Sequence, residues 1–179
     1  MATGTSLSPE SSAKMGPRQR FLDTLQREHE TTMKVLRAYP ADRMDLRPHP
    51  RCNTARDLMW TFVMEQKLVQ KALTTGFDWS TRPGPPPPAP QQRDEIIDTL
   101  EREHRRVVEL VKELPEERLH QTVTFPIAPK TMGQWPIDQF LWMVLHDQIH
   151  HRGQLSIYLR MADGKLPSIY GPTADEPWM

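Results

Sequence analysis

The sequence is poor in cysteine, in long apolar runs and in net charge, and each shortage excludes a class of protein. Cys52 is the only cysteine, so the chain cannot form an internal disulfide and nothing points to an oxidising compartment. No apolar run approaches the ~20 residues that a membrane-spanning helix needs. The 23 basic residues equal the 23 acidic ones, which leaves no basic footprint for nucleic acid or anionic lipid. We therefore expect a soluble, cytoplasmic protein with neither nucleic acid nor a membrane as partner.

Proline, in contrast, is abundant, and it marks connections. Residues 1–17 are rich in Ser, Thr, Gly and Ala and lack the apolar segment of a signal peptide, so we predict a mobile leader. Residues 82–90 (RPGPPPPAP) favour an extended polyproline conformation and cannot form a helix. The chain has the length of one domain. We expect that domain to occupy residues 18–179, with the proline-rich run as a semi-rigid connection inside it.

An internal repeat is the most informative feature of the sequence. Residues 23–29 (DTLQREH) return as residues 98–104 (DTLEREH), and each copy continues through apolar residues with helical spacing to a proline, Pro40 or Pro115. Two copies at so long a period do not form a solenoid; they indicate a duplicated helical hairpin. The repeat therefore predicts an all-α fold, an antiparallel four-helix bundle with helices near residues 18–38, 54–75, 92–114 and 136–162.

The duplication extends weakly into the second and fourth helices. There it aligns Trp60 with Trp142 and Glu65 with Asp147, at an offset of 82 residues. Two carboxylates at matched positions of duplicated hairpins would face each other across an approximate twofold axis.

Three of the seven histidines lie in residues 146–151 (HDQIHH) of the fourth helix. Two pairs there have i,i+4 spacing, His146 with His150 and Asp147 with His151, and residues four apart share one helical face. Asp147 and His151 fall within roughly 40° of the line of apolar residues, and the other pair lies roughly 100° to 140° away. The periodicity favours Asp147 and His151 as the pair that points into the bundle. The alternative, with His146 and His150 as the inward pair, stays open.

A buried carboxylate and imidazole need partners, because an unpaired buried charge is costly. Glu65 lies on the apolar side of the second helix. With Asp147 and His151 it forms an oxygen and nitrogen donor set that suits a divalent metal, zinc or nickel first, and iron or manganese as alternatives. The competing interpretation is an Asp147–His151 hydrogen bond that fills a polar gap in the core. His29 and His104 also fall near apolar helix faces, where most histidines are core or boundary residues.

Two motifs resemble the DinB/YfiT-like superfamily of four-helix-bundle metalloproteins: residues 150–160 (HHRGQLSIYLR) and 167–172 (PSIYGP). Together with the duplicated hairpin, the resemblance covers nearly all of the chain from about Arg18. It implies a metal ion held by one histidine on the second helix and by a pair of residues, four apart, on the fourth helix.

The resemblance places the last metal ligand at His151. Asp147 stands four residues earlier, where the superfamily usually has histidine but some thiol-dependent isomerases have a carboxylate. Thr61 stands where the second-helix histidine is expected, and Glu65, one turn later, is its candidate replacement.

Three functions are compatible with this resemblance. The first is a metal-dependent enzyme similar to the thiol-dependent transferases and isomerases, or a hydrolase, acting on a small molecule with a low-molecular-weight thiol; the catalytic residues are unknown. The second is a non-catalytic metal-binding or stress-related protein, and the third is a degenerate dimeric scaffold without metal. The resemblance also implies a homodimer. We expect Met59 and Trp142 to be exposed on the isolated subunit and to become buried in a twofold interface when two subunits associate.

Overall fold

The computed structural model describes residues 16–80 and 84–179. In chain order the elements are α1 (Pro17–Ala38), a 3-10 turn (Ala41–Arg43), α2 (Ala55–Leu73), α3 (Arg93–Glu113), the short α4 (Glu116–Leu119), β1 (Thr122–Ala128), β2 (Thr131–Pro136) and α5 (Ile137–Met161). Residues 1–15 of the predicted leader lie outside the described residues, as do the first two residues of the proline-rich run at 82–90.

The four long helices lie where the sequence predicts them, within two residues at every end. Thr54 caps α2 by accepting a hydrogen bond from a backbone amide of the first turn. Pro40 and Pro115 follow α1 and α3, because proline restricts the residue before it and cannot continue the helix. At the end of α5 the amide of Gly164 donates to the carbonyl oxygen of Leu159, and a Cβ atom on Gly164 would collide with the Leu159 side chain.

The chain is mostly helical, but the prediction of a strictly all-α fold is wrong between α4 and α5. There β1 and β2 form a two-stranded antiparallel sheet, in which Val123 pairs with Trp135. The β-branched and aromatic residues of β1 favour an extended strand. The sequence predicted no strand in this segment, which contains Pro126 and Pro129. Pro126, however, lies next to the irregularity in the strand pairing, where the sheet tolerates it.

Each long helix packs mainly against two others, in the cyclic order α1, α3, α2, α5. Arg18 at the start of α1 pairs with Glu116 beyond the end of α3, so these two helices run antiparallel. The Tyr158 hydroxyl near the end of α5 donates to the carbonyl oxygen of Asn53 just before α2, so these two are antiparallel as well. The two helices of one repeat stand on a diagonal. The predicted hairpin is therefore not a packed unit, because each helix packs mainly on helices of the other copy.

Residues related by the repeat meet where the two copies pack together. The rings of His29 and His104 stack in parallel with centroids 3.6 Å apart, between α1 and α3. The Gln66 amide donates to the side-chain oxygen of Gln148 over 3.3 Å, between α2 and α5. Both pairs consist of repeat-matched residues, which is the arrangement expected for an approximate twofold relation between the two halves.

Two clusters of buried side chains fill the space between the helices, and repeat-related Trp60 and Trp142 lie at the edge of one cluster each. Met59 is fully buried in the first cluster, and Trp142 is half-buried with its ring 5.2 Å from that of Phe21. The prediction that Met59 is exposed is wrong, because α2 packs on two helices and buries a wider stripe than one apolar face. This removes one argument for a homodimer, which stays a prediction.

The two motifs that carry the superfamily resemblance contact each other. Arg152 of the first motif is 1% exposed in its side chain and pairs with Glu28 of α1 over 2.6 Å. Tyr170 of the second motif accepts a hydrogen bond from Arg152 and donates one to Glu28. This network ties the segment after α5 to the body of the protein. Within the described residues, no helix is both long and apolar enough to span a bilayer.

Candidate metal centre

Glu65 of α2 and Asp147 and His151 of α5 meet in one place. The His151 Nε2 atom lies 3.3 Å from Glu65 Oε1 and 3.6 Å from Asp147 Oδ1, and one donor atom from each residue lies within 4.8 Å of the others. In residues 16–80 and 84–179, this is the only group of three or more His, Cys, Asp or Glu side chains that meets this criterion.

The fold positions these side chains through two features that the sequence displays. The i,i+4 spacing places Asp147 and His151 one turn apart on the same side of α5. The duplication makes Glu65 the counterpart of Asp147, and antiparallel packing of α2 on α5 brings the two carboxylates together. Repeat-related Gln66 and Gln148, each next in sequence to one of these carboxylates, meet by their own hydrogen bond.

The triad runs from the core to solvent. The exposed fraction of the side chain is 7% for Glu65, 21% for His151 and 52% for Asp147. The prediction that Asp147 points into the core is therefore wrong. Because α5 packs on two helices, its buried stripe is broad and centred near Gln148. Asp147 lies roughly 100° from that centre, at the edge of the stripe.

Glu65 is buried without a satisfactory partner. Among the described residues, neither of its carboxylate oxygens accepts a hydrogen bond. Burial, after it the negative charge of nearby Asp147, and a hydrogen bond that the protonated carboxyl shares with Asp147 raise the pKa of Glu65 to about 9. Burial and a like charge both disfavour the ionised form. A cation between the two carboxylates would remove the repulsion and supply the missing partner for both oxygens.

The second ring nitrogen of His151 is held by Gln154. His151 Nδ1 lies 3.1 Å from the Gln154 side-chain oxygen, which can only accept, so Nδ1 carries the proton in this arrangement. The Nε2 atom then presents a lone pair to the two carboxylates. Histidine ligands of metals usually have such a partner behind them, because it fixes the tautomer and the ring orientation.

A divalent metal ion fits this set of donors. Zinc bonds to nitrogen and carboxylate oxygen at about 2.0 to 2.2 Å, so tetrahedral neighbours lie roughly 3.3 to 3.6 Å apart. The distances from the His151 Nε2 atom match that spacing. Three protein ligands leave one position for a water molecule or a substrate, as in catalytic zinc sites.

The other candidate residues lie apart from the triad. His146 and His150 are exposed, so the alternative in which they form the inward pair is wrong. The Thr61 hydroxyl donates to the carbonyl oxygen of Asp57, and Thr61 lines a cleft with the proline-rich run. His29 and His104 stack on each other between α1 and α3.

Sequence reasoning missed two parts of the site. Gln154 follows the histidines in the motif HHRGQ, and this spacing, one turn beyond His151, is the signal that could have identified it. The second part is a groove of about 500 Å³ beside His151. Its other walls come from the loop before α2, from α2 and from α5; the α5 wall lies within the motif at residues 150–160, but no pattern in the sequence marks the loop that completes the groove.

Known proteins of similar sequence and fold were found. The curated uncharacterised protein YrdA of Bacillus subtilis is 23% identical over 158 residues, which cover 87% of this chain and 89% of that protein. A DinB-like protein of Bacillus cereus superposes with a TM-score of 0.69 and 23% identity, over 84% of this chain and 95% of that one. The DinB-like protein YjoA of Bacillus subtilis superposes with a TM-score of 0.64 and 15% identity, over 89% of this chain and 99% of that one.

These likenesses to solved structures show a shared fold. The sequence itself matches the model of the DinB family over residues 11–178, which is nearly the whole chain. The protein therefore belongs to the DinB family.

Proposed function

We propose that this protein is a metal-dependent enzyme whose divalent ion is held by Glu65, Asp147 and His151. The observation that carries the proposal is the buried Glu65 carboxylate, whose oxygens accept no hydrogen bond from the described residues and which lies 3.3 Å from the His151 imidazole. A buried carboxylate without a partner costs free energy. Such an arrangement is typical of functional sites, where a ligand supplies the compensation.

The donor set narrows the choice of metal. One imidazole nitrogen and two carboxylates suit a borderline ion, zinc or nickel, while iron or manganese would also accept this set. Calcium is a poor fit, because it takes six to eight oxygen ligands. The half-exposed Asp147 side chain leaves the site accessible from solvent.

The proposed reaction is the transfer or isomerisation of a small molecule with the help of a low-molecular-weight thiol. A divalent ion in this position would lower the pKa of a bound thiol or water and so supply a nucleophile at neutral pH. Gln154 orients the imidazole through its hydrogen bond to Nδ1. Glu65 and Asp147 bring the negative charge that retains a dication.

A degenerate scaffold is the second candidate function. Thr61 stands where the superfamily resemblance expects a histidine ligand, and its hydroxyl is occupied by the Asp57 carbonyl. A site without that histidine could have lost its metal. A metal-binding protein without turnover is the intermediate case, and it differs from the enzyme only in lacking a reaction.

Elemental analysis of protein purified without an affinity tag tests the metal. We expect about one equivalent of metal in the wild type and almost none in His151→Ala. The matched control is His146→Ala, an exposed histidine of the same helix, which should retain the wild-type content. Metal-free wild type that also fails to take up zinc or nickel would favour the scaffold. Equal metal in both variants would place the ion elsewhere.

Turnover is tested separately from metal content. The metal-loaded protein is incubated with an electrophile and a low-molecular-weight thiol, and the loss of free thiol is followed. We expect consumption that depends on the metal and disappears in His151→Ala. A stoichiometrically loaded protein with no thiol consumption would support the non-catalytic metal-binding function.

A further inference from the structure

The groove beside the triad has a composition that restricts what it can bind. It has a volume of about 500 Å³, which is in the range of small-molecule sites. His151 belongs both to the groove and to the triad. The remaining lining residues are Pro48, Arg51, Cys52, Asn53, Leu58, Gln154, Ile157 and Tyr158.

One residue gives the groove lining its positive charge. Among the described residues, Arg51 is the only lining residue with a fixed charge, and no carboxylate belongs to the lining. In the part of the chain that the structure describes, the Arg51 guanidinium forms no ion pair. Other arginines near the surface, such as Arg56 and Arg160, pair with Asp45 and Asp175. Arg51 is thus available to an anion that enters the groove.

The rest of the groove is largely apolar or already hydrogen-bonded. Pro48, Leu58 and Ile157 give it apolar walls, and Ile157 is 60% exposed although it is a large aliphatic residue. The Tyr158 hydroxyl donates to the Asn53 carbonyl. Burial, followed by the neighbouring Cys52, raises the pKa of Tyr158, so this phenol stays neutral.

We propose that this groove binds the substrate of the metal centre and that the substrate is a small amphipathic carboxylate. Its acid group pairs with Arg51, its apolar body lies against Leu58 and Ile157, and its reactive end approaches His151. This inference rests on the proposed function, since it makes the triad the place where that substrate reacts. It assigns Arg51 as the residue that selects an anion.

The charge balance favours a carboxylate over a phosphate. One guanidinium matches one carboxylate in a planar, two-point hydrogen bond. A phosphate monoester carries nearly two negative charges at neutral pH. Among the described residues, the groove lining offers no second cation for that additional charge. The α2 N-terminus offers no free donor in its first turn either, because its first three amides already donate to Leu46, Met44 and Thr54.

Methyl-resolved NMR titrations test the proposal, with phenylacetate as the probe, phenylacetamide as its neutral analogue and phenyl phosphate as the competing anion. We expect phenylacetate to shift the methyl signals of Leu58 and Ile157 saturably. The amide and the phosphate should bind about tenfold more weakly. The Met33 methyl, which lines a different groove between α1 and α3, should not move.

Substitution of Arg51 tests whether its guanidinium is the group that binds the carboxylate of the probe. Arg51→Gln should bind acid and amide with equal affinity, while Arg106→Gln, which alters an exposed arginine of α3, should keep the preference for the acid. Circular dichroism of each variant verifies the fold. Equal binding of acid and amide by the wild type, tighter binding of the phosphate, or a preference for the acid that survives in Arg51→Gln would each overturn the inference.

Metal content, measured on the same samples, separates this inference from the proposed function. If the protein contains metal but phenylacetate does not bind in the groove, the proposed substrate class is refuted and the proposed metal-dependent enzyme is not. A protein that selects phenylacetate through Arg51 but takes up no metal refutes the enzyme and with it the groove's role as a substrate site.

Discussion

Replacing Glu65 by glutamine should stabilise the metal-free protein and abolish its metal binding. The pKa of Glu65 is raised from 4.5 to about 9, with burial as the main cause. At pH 7 the carboxyl is ionised in the unfolded chain and neutral in the folded one, so folding must take up a proton. Glutamine has nearly the same shape and needs no proton, and its amide group can donate to Asp147.

The size of this stabilisation follows from the difference between the pH of the measurement and the pKa of Glu65 in the unfolded chain. A carboxyl with a raised pKa contributes its full stability below about pH 4.5, and it loses that contribution as the pH rises towards 9. At pH 7 the loss is about 3 kcal/mol. Glu65→Gln should therefore be more stable than metal-free wild type by up to about 3 kcal/mol at pH 7, and by little near pH 4.5.

Urea unfolding in the presence of a chelator measures this difference between pH 4.5 and 8. Using the difference between variant and wild type removes contributions from other titrating groups. Glu113→Gln, which changes an exposed carboxylate at the end of α3, is the control and should follow the wild type at every pH. A constant difference between Glu65→Gln and wild type across this range would refute the raised pKa.

Metal should reverse the order of stability. A ligand that binds only the folded state, present at a concentration a thousand times its dissociation constant, adds about 4 kcal/mol to the free energy of unfolding. Wild type with excess zinc should thus become more stable than Glu65→Gln, whose stability should not respond to zinc. If zinc stabilised both proteins equally, Glu65 would not be a ligand.

Three further predictions concern other parts of the molecule. Burial is the main cause that lowers the pKa of His29 to about 4 and that of His104 to about 3. The contribution of these histidines to the free energy of unfolding is complete above about pH 6.5 and decreases as the pH is lowered. At pH 5 the loss is about 2 kcal/mol per histidine. Urea unfolding of the double variant His29→Phe/His104→Phe should show a much flatter decline between pH 7 and 5, and an unchanged decline would contradict this origin. Arg152→Met leaves the Glu28 carboxylate without its buried partner and should lower the free energy of unfolding, measured in urea, by about 3 to 5 kcal/mol. Tyr170→Phe should lower it by only about 1 kcal/mol. Similar losses for the two variants would argue against a buried charge pair. Sedimentation equilibrium at micromolar concentration tests the homodimer. A molecular mass equal to that of one chain would refute it.

Local sequence signals determined the helices and most of the site. Apolar residues at helical spacing and the prolines after Tyr39 and Leu114 set the extents of the long helices, because these signals act through the backbone of a few neighbouring residues. The repeat also predicted that Glu65 and Asp147 approach each other, since duplicated units that pack symmetrically bring matched residues together. The distances around His151 agree with this prediction.

Tertiary packing decided what the sequence left open or suggested wrongly. Asp147 is half-exposed because two neighbouring helices broaden the buried stripe of α5 and shift its centre, and a single helix cannot reveal how many neighbours it has. The same cause buries Met59. Pairing between β1 and β2 satisfies the backbone of a segment for which the sequence predicted no strand.

Long-range contacts between distant segments were beyond the reach of any local pattern. Arg152 and Tyr170 meet on Glu28 only because the segment after α5 folds back onto α1. Arg51 and His151 line the same groove only because the loop before α2 lies against the end of α5. The sequence by itself determined which side chains could form a metal centre. The packing of the helices and loops decided how deeply each is buried and what surrounds it, because burial depends on neighbours from the whole chain.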